Sequence, residues 1–151
     1  TMKVKTTRFG EIETEFDRVI RFPRGILGFP EYREYVLLQT NEEGTFFWLQ
    51  STENPALAFV VSDPMLFVPE YQVPLKMEEF ADIALARLED AQVFIIVNKV
   101  EQVLTGNMQG PLVINAKNRQ GLQLVLSEKK YSTRHSLVHL ELRPKQVSKT
   151  A

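Results

Sequence analysis

His135 and His139 stand in "RHSLVHLEL", the one stretch of this 151-residue chain in which two imidazoles are close in sequence. Imidazoles can ligate a metal or move a proton. On a strand, residues four apart share a face but lie about 13 Å apart at the usual rise. One metal ion cannot bridge that distance. The chain has no cysteine to complete a site, and Glu141 alone does not. Two glycines offer another chemistry. "GILGFPEYREY" holds Gly25 and Gly28, but a phosphate cradle needs a helix whose amides face the anion, and a lysine with a serine or threonine. Here Pro30 and "YVLL" lead toward a strand instead. No G-x-S-x-G nucleophile motif occurs, and the carboxylate pairs in "NEEG" and "MEEF" are adjacent and solvated. The residues therefore point to no catalysis, no cofactor and no metal.

Nucleic acid is the remaining ligand class. "EKKYSTRH" sets Lys129, Lys130 and Arg134 beside Tyr131, a ring that could stack a base while the cations meet phosphates. An RNA-binding barrel using residues 129–134 is the alternative reading. The formal net charge of -1 does not supply the strongly basic footprint of such domains. Charge is unevenly spread, however. Residues 63–90 carry seven acids and two bases, and residues 117–149 carry eight bases and two acids. The acidic stretch includes Glu78, Glu79 and Asp82, with Phe67 and Tyr71 as expected exposed aromatics. That combination suits a polar-rimmed contact with a basic protein.

The elements that must position these residues are mostly strands. "EIETEF" alternates, and "YVLLQ", "FFWLQS", "LAFVVS", "QVFIIVNKV", "PLVINAK" and "LQLVLS" are short and rich in β-branched or aromatic residues. "FGE", "NEEG", "ENP", "SDP", "TGNMQGP" and "NRQG" separate them as turns. The pattern predicts a mainly β, small antiparallel barrel or sandwich, one domain over 1–144, with a polar tail at 145–151 that frays. Several strands are apolar at successive positions, which predicts burial on both faces or packing under a loop. "LKMEEFADIALARLED" breaks the period. Phe80, Ile83, Ala84, Arg87 and Leu88 fall at helical spacing, so one short helix over about 77–88 is expected to cover an open end of the barrel. The N-terminal stretch has no hydrophobic centre, and no apolar run approaches the roughly 20 residues that span a bilayer. A cytoplasmic protein without a membrane anchor is expected.

In "FPRGILGFPEYREYVLL", glycine supplies positive φ and proline holds its own φ at a fixed negative value, which accounts for a turn. It does not account for Phe22, Ile26, Leu27 and Phe29 crowding that turn. They either plug a barrel end or present an apolar patch to a partner.

Three blocks together resemble the bacterial flagellar assembly factor FliW: "FPRGILGFPEYREYVLL", "FFWLQSTENPALAFVVSDPMLFVPEY" and "PLVINAKNRQGLQLVLSEKKYSTRHSL". The resemblance runs from about residue 6 to 137. It departs at Leu27, where the family loop usually reads G-I-P-G-F, and loss of that proline is expected to loosen the turn. The resemblance implies a small barrel without enzymatic activity and two cytoplasmic protein partners. One is flagellin, held before export. The other is CsrA, an RNA-binding translational repressor of flagellin, which FliW sequesters when it is free of flagellin. The candidate partner-binding residues are Phe67, Tyr71, Glu78, Glu79 and Asp82 on the acidic stretch, and Ile26, Leu27 and Phe29 on the glycine loop.

Overall fold

The computed structural model describes residues 1–40, 42–74, 76–127 and 130–140. The expected tail at 145–151 and Lys129 lie outside them. Strands β1 (Met2–Thr6) and β2 (Gly10–Thr14) form a separate hairpin. The remaining strands are β3 (Ile20–Arg21), β4 (Glu34–Leu38), β5 (Phe46–Ser51), β6 (Ala58–Ser62), β7 (Ala91–Val100), β8 (Val103–Gly106), β9 (Leu112–Asn115), β10 (Gln120–Gln123) and β11 (His135–His139). They pair in the order β11-β8-β7-β6-β5-β4-β3-β10-β9, and a further β7–β9 pairing closes the ring. The expected mainly β barrel is what forms. One detail differs from an all-antiparallel sheet: β10 lies parallel to β3, through Gln120 opposite Arg21. Closure brings together strands distant in sequence, so no short turn dictates their relative direction.

β7 is long enough to serve two neighbours on one edge. Its first half pairs with β9, from Ala91–Asn115 to Phe94–Leu112, and its second half with β8, from Val97–Gly106 to Val100–Val103. Successive apolar residues on β7 are buried on opposite faces. Phe94 and Ile96 join Ile20, Phe22, Tyr35, Leu49, Leu112 and Ile114 in the barrel interior. Val93, Ile95 and Val97 join Tyr71, Phe80, Ile83, Met108, Val113 and Tyr131 in a second layer outside the wall. This is the two-faced burial that the unbroken apolar runs require.

The second layer exists because residues 63–90, the strap between β6 and β7, cover that wall. The strap is built from 3-10 turns at Pro64–Leu66, Met77–Ile83 and Leu88–Asp90. The helix expected over 77–88 is thus a seven-residue 3-10 helix, and it covers the wall and not the barrel end. It stops because Ala84 is left-handed at φ 51. Asn115 Nδ2 donates to the Ile83 and Ala84 carbonyls at 3.0 and 3.3 Å, and Asn118 Nδ2 to the Ile83 carbonyl at 2.9 Å. These side chains satisfy carbonyls that a continuing helix would bond itself. Phe80 and Ile83, three apart, point the same way in a 3-10 helix and are both fully buried.

Candidate protein-interaction surface

The glycine loop divides the two roles that its apolar residues offered. Phe22 and Ile26 are buried in the barrel interior, and Phe22 meets Tyr35 edge-on at 5.7 Å. Phe29 is half-buried against Phe59, with ring centroids 5.4 Å apart. Leu27 projects into solvent, 63% exposed. Ile26 is therefore a plug and not a contact residue, and Leu27 is the loop's exposed apolar side chain. Gly25 and Gly28 have φ of 70 and 90, as the turn requires. The loop is also tied down. Leu27 N–H donates to Gln123 Oε1 at 2.8 Å, a bond that proline at this position could not make. The departure at Leu27 gains an anchor where a looser turn was expected.

The strap separates its residues in the same way. Tyr71 is buried, not exposed. Its hydroxyl donates to the Met108 carbonyl at 2.6 Å, and its ring meets Tyr131 at 4.8 Å. Phe67 is half-buried beside Phe46, with centroids 6.0 Å apart. Alternation could not reveal either placement, because the strap is neither strand nor regular helix. Glu78, Glu79 and Asp82 are exposed on the 3-10 helix, with Met77 beside them. Asp82 pairs with Arg24 Nη2 at 2.6 Å, which ties the strap to the glycine loop. Leu27 and the acids thus belong to neighbouring parts of one surface.

Burial pushes the Tyr71 phenol far above its ordinary value of 10.0, with a further push from Tyr131. Tyr35 behaves alike, through burial and then Glu53. Both pKa values are raised on folding, so their stabilising contribution is full below the unfolded value and is lost as pH rises past it. Stability is expected to fall above pH 10.0, the ordinary tyrosine value. Tyr71→Phe costs about 1–2 kcal/mol near neutral pH, because the Met108 carbonyl loses its donor. The variant also flattens the alkaline loss. Urea midpoints on both sides of that pH check both effects.

Tyr131, the ring that the alternative RNA-binding reading would stack on a base, is buried against Tyr71. Lys130 sits over its ring at 5.1 Å. His135 and His139 both lie on β11. Among the described residues no three His, Asp or Glu side chains gather as metal ligands. None of the described helices is long and apolar enough to cross a membrane.

A feature that the sequence reading missed lies at the start of the strap. Gly44, Phe47, Asp63, Pro64, Met65, Leu66, Tyr71, Val73 and residues 91–94 line an apolar groove of about 620 Å³. Met65 and Leu66 are both more than half exposed on its rim. The signal was available in "SDPML", where an apolar pair follows a proline that ends a strand.

The family model described as "FliW protein" matches residues 3–137. A flagellar assembly factor FliW from Alkaliphilus metalliredigens is 39% identical over 140 residues, covering 91% of this chain and 86% of that protein. One from Natranaerobius thermophilus is 41% identical over 140 residues, covering 90% and 92%. A crystal structure of the flagellar assembly factor FliW superposes with a TM-score of 0.83 at 33% identity, covering 93% of this chain and all of that one. These relatives are named as assembly factors and not as enzymes. By these matches over nearly its whole length, this chain belongs to the FliW family of flagellar assembly factors.

Proposed function

We propose that this protein is a non-catalytic, cytoplasmic partner-switching factor that binds flagellin and antagonises CsrA. Free of flagellin, it sequesters CsrA and relieves repression of flagellin translation. When flagellin accumulates it occupies the factor, and CsrA is released. Family membership supports the flagellar setting. The observation that carries the CsrA contact is the exposed row Glu78, Glu79 and Asp82 with Met77, an acidic surface with an apolar element suited to a basic RNA-binding protein.

Glu78→Lys with Glu79→Lys is expected to weaken the CsrA complex at low salt, with the difference shrinking as salt rises. Both side chains are exposed, so the fold should be kept. Asp82→Lys would add repulsion against Arg24 and is a separate variant. Calorimetry reads the result, and unchanged binding would place the CsrA surface elsewhere. Flagellin titrated into the preformed complex is expected to release free CsrA. Coupling of this kind is reciprocal, so CsrA weakens flagellin binding by the same factor. A stable ternary complex with no CsrA released would contradict the switch.

A further inference from the structure

The strand ladders bring several chain ends to one mouth of the barrel. β4 ends opposite the start of β5, at Leu38–Trp48, and β7 starts opposite the end of β9, at Ala91–Asn115. β3 and β10 also begin there, side by side through Arg21 and Gln120. The mouth holds a cleft of about 650 Å³. That is an ordinary size for a small-molecule site, and barrel mouths are common places for one. Leu37 and Phe47, which pack on the interior cluster, form its apolar part. Gln92, two residues before the inward-facing Phe94, adds an amide. Glu13 and Glu15 reach the cleft from the hairpin, and Glu15 faces the terminal amine of Thr1 at 3.9 Å.

Arg18 and Arg119 supply the positive charge. Arg119 is the last residue of the turn between β9 and β10, and its φ is 62. That left-handed region suits glycine or asparagine and strains an arginine. The turn thus carries a long side chain where its backbone calls for none. Arg119 Nη2 donates to the Arg18 carbonyl at 3.1 Å. Its Nε–H is buried and has no hydrogen-bond partner, a costly state for a charged group. Among the described residues, no carboxylate lies within ion-pair distance of either arginine. Burial pushes the Arg119 guanidinium below its ordinary pKa and Arg18 pushes it the same way, while Asp17 acts in opposition. The mouth therefore holds two like charges, an unbonded donor and a strained backbone beside an apolar floor.

We propose that the mouth binds a small organic carboxylate with an apolar body, its carboxylate at Arg18 and Arg119 and its body over Leu37 and Phe47. Guanidinium groups match a carboxylate in shape as well as in charge. A bound carboxylate would give Arg119 Nε–H an acceptor and offset the repulsion between the arginines. Glu13, Glu15 and Asp17 stand near enough to repel a polyanion such as a nucleotide, so a single negative charge fits best. The site is separate from the acidic row on the strap and does not depend on the partner-switching reading.

Hexanoate titrated into the full chain tests this, read by NMR of the arginine Nε–H signals. The Arg119 signal is expected to shift and saturate. Acetate, which lacks the apolar chain, and hexanol, which lacks the charge, should each bind at least about tenfold more weakly. Arg119→Gly should weaken hexanoate binding by at least about tenfold and leave the urea midpoint nearly unchanged, because relief of the left-handed strain offsets the added freedom of glycine. Arg18→Gln leaves the turn alone and should weaken binding by a similar factor, so it carries the test if Arg119→Gly loses stability. An Arg119 signal that hexanoate does not move overturns the site. Equal binding of hexanol, tighter binding of ATP or inorganic phosphate, or hexanoate binding that survives both substitutions overturns it too. A signal that moves with flagellin or CsrA and not with hexanoate makes the mouth a protein contact and overturns the small ligand. None of these outcomes decides the CsrA contact, which calorimetry reads separately.

Discussion

Gly25→Ala is expected to lower the unfolding free energy by about 3 kcal/mol, from left-handed backbone strain and from overpacking together. A Cβ at Gly25 would lie 2.7 Å from Pro30 Cα and 2.9 Å from the Phe29 and Pro30 carbonyl oxygens. All three are backbone atoms of the same tight loop, so no flexible side chain can move aside. The residue also sits at φ 70. Gly28 is the control. It has φ 90, but a Cβ there meets no atom within 4 Å. Gly28→Ala should cost only the backbone term, about 1 kcal/mol. Urea unfolding of the two variants reads the difference. Equal losses would mean that the loop relaxes around Gly25 and that the close approach to Pro30 costs nothing.

Phe80→Ala is expected to cost about 3–5 kcal/mol, the usual range for deleting a buried aromatic ring. Phe80 is fully buried among Ile83, Ile95, Val113 and Leu122, and it holds the strap to the outer face of the barrel wall. Glu79, its neighbour in sequence, is exposed, and Glu79→Lys should stay within about 0.5 kcal/mol of the parent. The pair separates the strap's two roles on adjacent positions. One face stabilises the second core layer, and the other presents charge. If Phe80→Ala unfolds at nearly the parent's urea midpoint, the strap is not part of the cooperative fold. The second layer would then be a loosely held cover.

The two variants also bear on how the surface is held in place. Arg24 on the glycine loop pairs with Asp82 on the strap, and the strap's 3-10 helix ends under Asn115, at the end of β9, and Asn118 in the β9–β10 turn. An exposed ion pair contributes little to stability, about 0–1 kcal/mol. Apolar burial of Phe80 and Ile83, together with the asparagine bonds to the Ile83 carbonyl, decides where Glu78 and Glu79 stand.

The strands and turns were legible in the sequence because their signal is local. Alternation, β-branched residues and Gly/Pro/Asn turns act within a few residues, so the mainly β barrel followed from them. The doubled apolar positions of "QVFIIVNKV" also foretold burial on two faces, and the structure supplies both layers. Chemistry was bounded in the same way, since missing cysteines and missing motifs are properties of the chain alone. The blocks resembling FliW added the family, as residue types in order. Other features are decided between distant segments. Tyr71 reads as an exposed aromatic until Met108, 37 positions away, takes its hydroxyl. Ile26 and Leu27 are adjacent and equally apolar, yet one fills the barrel and the other faces water, because the loop turns at two positive-φ glycines between β3 and β4. The helical spacing of residues 77–88 was real only as far as Ile83, where the side chains of Asn115 and Asn118 cap its carbonyl. The mouth lined by Arg18 and Arg119 depends on closure of the barrel, which sets residues 101 positions apart side by side, a matter that no local pattern carries. Sequence determined the element types, the fold class and the family. Tertiary structure decided which apolar residues are buried, where the strap's helix ends and which residues line the barrel mouth, because those outcomes rest on contacts between segments far apart in the chain.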